Sequence, residues 1–313
     1  MRVLRQILLP PTGETPVVLA IGYFDGVHRG HQAVLQAARE AARTLDGEAW
    51  VLTFDPHPLR LVRPEKTPRM LTAVAHKERL FRRLGLDGCI VAPFTPEIRD
   101  TSAEDFLHLL RERIGGLRRI VVGEQWAFGC GQTGNLSFLK RFAEARGLDI
   151  IGVPHVLWRG QAISSTRIRK AVLQGDLEAA SAMLGRPFSL FGNVVRGRGI
   201  GRTLGFPTAN VNPQNEVHLP DGIYAAQLET DEDLHPAAAY IGQRPSFKES
   251  DWVVEVHLLE EACDLYGQDV EVRFLEKIRE DRAFPHADAL KEQMRKDVQT
   301  IRALLTSTAL CER

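Results

Sequence analysis

The first 185 residues alternate between two periods, and this constrains the fold more than any other feature of the chain. Short β-branched runs, which read as buried parallel strands, are separated by longer amphipathic stretches, so that strand, helix, strand repeats. Strands are expected at Val17 to Gly22, Glu48 to Phe54, Gly88 to Ala92, Arg119 to Gly123 and Asp149 to Val153. Helices are expected at His31 to Leu45, Ala75 to Leu84, Ser102 to Ile114 and Leu136 to Arg146, with Gly47, Gly85, Gly115 and Gly147 near their ends. The expected fold is therefore an α/β domain with a parallel sheet.

Two more helical pieces, Ser165 to Gln174 and Leu177 to Leu184, end at Gly185-Arg186-Pro187, where the pattern changes. The domains are accordingly expected at 1–185 and 186–313, a division that suits about 150 residues per domain. Beyond the boundary, short strand-like runs recur about every ten residues: Asn193 to Arg196, Thr208 to Val211, Gly222 to Leu228, Ala237 to Ile241, Val253 to Leu259 and Val270 to Phe274. Such spacing suggests a small closed β-barrel. A last helix, Ala287 to Leu305, places Leu290, Met294, Val298, Ile301 and Leu305 at helical spacing and should pack on that barrel.

Composition excludes several classes of partner. Forty Lys plus Arg balance forty Asp plus Glu, so no global field favours nucleic acid or an anionic membrane, and neither is expected as a partner. Charged residues interrupt every apolar stretch before the ~20 residues needed to cross a bilayer, and Met1 to Pro11 is too short in apolar residues for a secretory signal. A cytoplasmic protein is expected. Cys89, Cys130, Cys263 and Cys311 are widely spaced without a CxxC pair, which argues against a zinc knuckle and a disulfide framework.

The densest chemical signal is the run from Gly22 through Tyr23, Phe24, Asp25, Gly26, Val27, His28, Arg29 and Gly30 to His31, between the first strand and the first helix. A helix N-terminus beyond the carboxyl end of a strand offers free N–H groups and partial positive charge to a phosphate. Gly30 lets the backbone come close, and His28 and His31, three residues apart, can donate to phosphoryl oxygens as their charge grows. Further on, Ser164, Ser165 and Thr166 at a helix start can cap it and still offer hydroxyls, with Arg167 as a bidentate partner. Phe54, Pro56, His57 and Pro58 read either as an apolar wall for a planar ring or as a proline-stiffened loop.

In the second half, Gly197, Gly199, Gly201 and Gly205 form a loop able to turn backbone N–H groups toward phosphates, or merely a flexible surface loop. It is neither a Walker loop nor a dinucleotide fingerprint. Thr208 and Asn210 follow on one face of a strand as hard oxygen ligands suited to Mg²⁺. Glu255 interrupts the apolar run Val253 to Leu259 and is a candidate general base, although a solvent-facing place beside His257 fits the alternation equally well.

The His-x-Gly-His pattern resembles that of the nucleotidyltransferase superfamily. The longer string, Thr53 to Pro58, Ile163 to Arg169, Gly205-Phe206-Pro207-Thr208-Ala209-Asn210 and the run Glu255-Val256-His257-Leu258 together resemble the bacterial bifunctional riboflavin kinase/FAD synthetase family. Pro220 to Ala225, Ile241 to Phe247 and Leu265 to Gly267 agree, with Ser246 where threonine is commoner.

That resemblance implies a Rossmann-like domain transferring AMP from ATP to FMN, giving FAD and pyrophosphate, and a barrel phosphorylating riboflavin with ATP, giving FMN and ADP. It assigns ATP contacts in the first domain to Gly22, Phe24, Asp25, Gly30, Ser164, Ser165, Thr166 and Arg167, and catalysis to His28 and His31. Flavin contacts there fall to Phe54, Pro56, His57, Pro58 and Phe128. In the second domain it makes Glu255 the base, Thr208 and Asn210 the holders of Mg²⁺, and Arg279 and Phe284 flavin-side residues. Mg²⁺ arrives with ATP, and no permanently bound prosthetic group is expected.

Gln125 and Trp126 stand where the family usually has a shorter amide or acid and a phenylalanine. That departure keeps a second reading open, a flavin-binding sensor without adenylyltransferase activity. An aminoacyl-tRNA synthetase relative is a further alternative, disfavoured by the neutral charge and the kinase-like second half. Oligomeric state is not encoded in these patterns.

Overall fold

The protein is described by a computed structural model covering residues 1–8, 15–144, 146–197, 199–243, 252–260 and 264–311. Contacts divide the chain into two compact units, Met1–Arg69 with Val74–Ser165, and Met70–Ala73 with Thr166–Arg313.

The first unit is built on six parallel strands, β1 (Arg2–Leu4), β2 (Val17–Ile21), β3 (Glu48–Asp55), β4 (Gly88–Pro93), β5 (Leu117–Gly123) and β6 (Asp149–Val153). Their order is β1-β4-β3-β2-β5-β6. From β2 the chain moves to β3 and β4 on one side and then to β5 and β6 on the other, so the sheet switches direction between β2 and β5. In an open α/β sheet, ligands bind beyond the strand ends at that switch. Alternate residues of β2 feed two cores, Val17, Leu19 and Ile21 on one face and Val18 and Ala20 on the other.

Helices α1 (Arg29–Thr44), α2 (Pro58–Val62), α3 (Val74–Arg83), α4 (Pro96–Asp100), α5 (Ala103–Arg113) and α6 (Leu136–Glu144) complete this unit. α1 and α3 cover one face through Leu35, Ala38, Leu80 and Phe81, while α5 and α6 cover the other through Phe106, Leu110, Leu139 and Phe142. A two-residue hairpin, β7 (Leu157–Trp158) with β8 (Gln161–Ala162), precedes α7 (Ser165–Leu173) and α8 (Leu177–Leu184).

The five strands and six helices expected before residue 185 are all present within a few residues of their expected ends. The edge strand β1 was not expected, because three residues carry no readable period. The short helices at Pro58–Val62 and Pro96–Asp100 were not expected either, although each has proline at its first position and a polar side chain capping it.

The second unit is a closed antiparallel barrel of β9 (Phe188–Val195), β10 (Ala209–Pro213), β11 (Gly222–Glu229), β12 (Leu234–Gln243), β13 (Trp252–Leu258) and β14 (Asp269–Arg279), in the order β10-β13-β12-β11-β14-β9. A short helix, α9 (Ile200–Leu204), lies inside the glycine-rich segment, where a loop is expected throughout. Gly199 and Gly205 bracket it at φ of +71° and +88°, a region that suits glycine.

The long helix α10 (Ala287–Cys311) packs on the barrel, with Ile301 fully buried against Ala225 and Leu259, and Val298 and Leu305 beside them. The other two residues of its expected apolar face, Leu290 and Met294, line a cavity instead. Arg198, Ser246 and Cys263 lie outside the described residues. No helix among the described residues is long and apolar enough to cross a membrane.

Candidate functional site

In the first unit, β2 delivers the chain into a loop that starts α1. His28 is the N-cap, and its Nδ1 accepts the backbone N–H of His31 at 3.3 Å. The cap brings the two imidazoles into a stack with centroids 3.5 Å apart and planes 17° apart. Gly30 lies beneath them, where an added Cβ would crowd the His28 ring at 3.2 Å.

Burial pushes the His31 pKa well below its ordinary value, and the charges of His28 and Lys77 push it the same way, so the ring is neutral. Its Nδ1 is buried without a protein partner. Gly22 is equally constrained, with the Phe24 ring 2.9 Å from where its Cβ would be. Phe24 turns inward rather than toward solvent and meets His31 and Phe81 edge to face, at centroid distances of 5.3 and 5.9 Å.

Asp25 is buried, and its carbonyl accepts the Ser165 hydroxyl at 2.9 Å. This bond links the His-x-Gly-His loop to the Ser-Ser-Thr-Arg segment, with Ser164 just before it. Thr166 and Arg167 continue α7, whose body groups with the barrel unit.

The flavin-side candidates come from neighbouring strand ends. Phe54 packs in the core against Phe94, and Pro56 follows a cis peptide after Asp55. His57 caps α2 through Nδ1, which accepts the Leu59 N–H at 3.0 Å, and Pro58 is the first residue of that helix. The Tyr23 ring stands edge-on to His57 at 4.2 Å and so joins the first motif to the second. Phe128, beyond β5, is buried, and Trp126 stacks over it at 4.5 Å. The bulkier Trp126 thus extends an aromatic wall, while Gln125 is exposed.

The barrel holds a cavity of about 320 Å³. Thr208, Glu255, Arg279 and Phe284 all line it, so four candidates far apart in sequence converge on one space. Glu255 pairs in register with Asn210 on one side and with Tyr240 on the other. Along β13 the exposure alternates: Val254, Val256 and Leu258 fill the barrel while Glu255 and His257 face the cavity. Glu255 is therefore not an intruder in a buried strand but one member of its outward row.

The glycine segment folds down on the proposed metal ligands. A Cβ on Gly197 would lie 2.1 Å from the Asn210 amide nitrogen, and one on Gly201 would lie 3.0 Å from the Thr208 hydroxyl. Thr208 and Asn210 thus bring two neutral oxygen donors beneath the glycine backbone, a set that fits a hard cation arriving with a nucleotide's phosphates. Among the described residues no cluster of three or more His, Cys, Asp or Glu could hold a metal without such help.

On the opposite wall Asp297 of α10 grips Arg279, with Nε at 3.0 and 3.1 Å and a terminal nitrogen at 2.9 Å. The guanidiniums of Arg279 and Arg282 lie 5.6 and 5.0 Å from the Phe284 ring.

Sequence reasoning missed two groups. His257 Nδ1 hydrogen-bonds with the Pro207 carbonyl at 2.8 Å and its ring meets Phe206, which anchors the approach to Thr208. The other is Lys77, buried under the His28 loop. Its signal was a lysine on the apolar side of an amphipathic helix, a place where lysine is rare.

Residues 11–167 match the FAD synthetase family and residues 184–305 the riboflavin kinase family. Curated relatives named bifunctional riboflavin kinase/FMN adenylyltransferase include those of Escherichia coli (strain K12), 37% identical over 91% of each chain, and of Pseudomonas fluorescens, 35% identical over 93% of this chain and 94% of that one. The chain belongs to the bifunctional riboflavin kinase/FMN adenylyltransferase family.

A solved structure described as a macrolide-efflux protein from Streptococcus pneumoniae superposes with a TM-score of 0.80 at 29% identity, covering 96% of this chain and 98% of that one. The fold is shared along nearly the whole length. The chain is thus an enzyme of flavin cofactor synthesis with a kinase half and an adenylyltransferase half, and nothing among these relatives favours a catalytically silent sensor.

Proposed function

We propose that the barrel phosphorylates riboflavin in the cavity beside Glu255, and that the sheet unit adenylylates the resulting FMN at the His28/His31 loop. The observation that carries this reading is the convergence of Thr208, Glu255, Arg279 and Phe284 on one cavity under the Gly197/Gly201 cradle.

In the barrel, the Glu255 carboxylate orients the terminal ribityl hydroxyl and takes its proton as the oxygen attacks the γ-phosphorus of ATP. Thr208 and Asn210 would hold Mg²⁺, whose charge, when bound, offsets that of the phosphates. The backbone N–H groups of Gly197, Gly199 and Gly201 would supply further donors as charge builds on the transferred group. Arg279, fixed by Asp297, and Phe284 bound the flavin ring.

In the sheet unit, attack runs from the FMN phosphate to the α-phosphorus of ATP, with pyrophosphate leaving. Neutral His31 and its stacked partner His28 offer ring N–H donors to the phosphoryl oxygens. Gly22, Asp25, Gly30, Ser164, Ser165, Thr166 and Arg167 would frame the nucleotide, with Phe54, Pro56, His57, Pro58 and Phe128 on the flavin side. ATP, riboflavin and FMN are the substrates and ADP, pyrophosphate and FAD the products of a cytoplasmic enzyme.

The test is incubation with riboflavin and MgATP, followed by chromatography. Wild type should give FMN and then FAD. Glu255→Ala should stop FMN formation yet still convert supplied FMN to FAD, and the double change His28→Ala with His31→Ala should do the reverse. Loss of both activities together in a folded variant would refute this division of labour.

A further inference from the structure

Lys77, in the first turn of α3, carries a charge into the core with no evident task. Its side chain is fully buried, and among the described residues it takes part in no ion pair. An ammonium placed so deep is costly unless its hydrogen bonds are met or it has a job. Its Nζ donates to the Tyr23 carbonyl at 3.2 Å, lies 3.4 Å from the Thr53 hydroxyl and sits 4.1 Å from the centre of the Tyr23 ring. The Thr53 hydroxyl donates to the same carbonyl at 3.0 Å. One backbone oxygen, near the start of the loop between β2 and α1, is therefore gripped from two elements.

The loop needs such a grip. Phe24 and Val27 stand at φ of +56° and +40°, values that side-chain-bearing residues rarely adopt and that persist only when the surroundings enforce them. α3 supplies two restraints one turn apart: Lys77 holds Tyr23, and Phe81 holds the Phe24 ring. From there the contacts run both ways, Phe24 to His31 and Tyr23 to His57.

Asp25 from the loop, Asp55 at the end of β3, Glu78 on α3 and Cys89 on β4 are the titratable groups whose fields act on the amine. The amine in turn acts on His31.

We propose that Lys77 is a positioning residue for adenylyl transfer, its buried amine clamping the Tyr23 carbonyl so that the loop presents His28 and His31 in the reactive geometry. This rests on the assignment of adenylyl transfer to that loop. Lys77 is fully buried beneath the loop, so it should act on the alignment of the transition state more than on binding, and misplacement by about 1 Å costs on the order of 100-fold in rate.

The test compares wild type, Lys77→Met and Lys77→Gln in the full chain, measuring steady-state FAD formation from FMN and ATP and, separately, FMN formation from riboflavin. The Met variant should lose on the order of 100-fold in kcat with both KM values within about threefold. The Gln variant, which keeps an N–H donor, should regain about tenfold of that. FMN formation should stay at the wild-type rate in both.

A Met variant that makes FAD as fast as wild type overturns the role of Lys77 alone. So do changes in KM that match the loss in kcat with no gain from Gln, since those mark general disruption of the unit. A wild-type protein that makes FMN but no FAD overturns the underlying assignment and the proposal together.

Discussion

At Gly197 a single hydrogen decides whether the kinase cradle closes. Adding a methyl group there would put carbon 2.1 Å from the Asn210 amide, deep inside van der Waals contact, and neither group is the free end of a long side chain. Gly197→Ala should therefore cut FMN formation by on the order of 10- to 100-fold and leave FAD formation from supplied FMN unchanged, as steady-state assays of each reaction would show. Gly199 makes the contrast: its Cβ would meet open space, so Gly199→Ala costs only the strain of a left-handed backbone, about 1 kcal/mol. Lys77 yields a stability prediction of its own. Burial lowers its pKa from 10.5 to about 8. The unfolded chain then binds the extra proton between pH 8 and 10.5 and the folded chain does not, so unfolding grows harder as pH rises through that window. The gain is at most ~3 kcal/mol. Denaturant melts of wild type and Lys77→Met should therefore converge or cross as pH rises from 8 to 10.5, whereas parallel curves would mean that the amine keeps an ordinary pKa.

Elements were legible where their period was long. The strands of the sheet announce themselves as apolar runs between glycine-terminated helices, and the outward row of β13 follows from alternation, so the neighbourhood of Glu255 and His257 was readable before their partners were. The register that sets Glu255 between Asn210 and Tyr240 was not, because pairing across a barrel joins residues on separate strands, here 45 and 15 positions apart. Of the adenylyltransferase set, the imidazole pair was visible as spacing, but the inward turn of Phe24 and the stack of Trp126 on Phe128 come from tertiary packing. His257 shows how an element carries function indirectly. From β13 it reaches across to the Pro207 carbonyl and the Phe206 ring, and so steadies the residue before Thr208. His257→Ala removes one hydrogen bond worth about 1 kcal/mol. It should raise the KM for ATP in FMN formation by about fivefold and change kcat less, because the proton acceptor, Glu255, stays in place.

Across the whole molecule, chain order and compact units do not coincide. Residues Met70–Ala73 interrupt the sheet unit in sequence yet belong with the barrel, where Met70 N–H donates to Glu216 at 2.8 Å and the Glu216 N–H returns a bond to the Met70 carbonyl at 3.0 Å. Asn215 completes the clasp. Its amide nitrogen donates to the Leu71 carbonyl and its oxygen accepts the Phe191 N–H at 2.8 Å, all out of contact with water. Four residues reading Met-Leu-Thr-Ala carry no pattern that could reveal this, since what fixes them is a side chain 144 positions away. Asn215→Ala removes both of these buried hydrogen bonds, at a cost of about 1–3 kcal/mol. For a unit of this size that is roughly 2–4 °C per kcal/mol in melting temperature. The barrel and the sheet have separate cores, so heating the variant and assaying both reactions should show kinase activity lost several degrees earlier than in wild type. FAD formation from supplied FMN should shift less, and equal shifts in the two activities would mean that the units unfold as one.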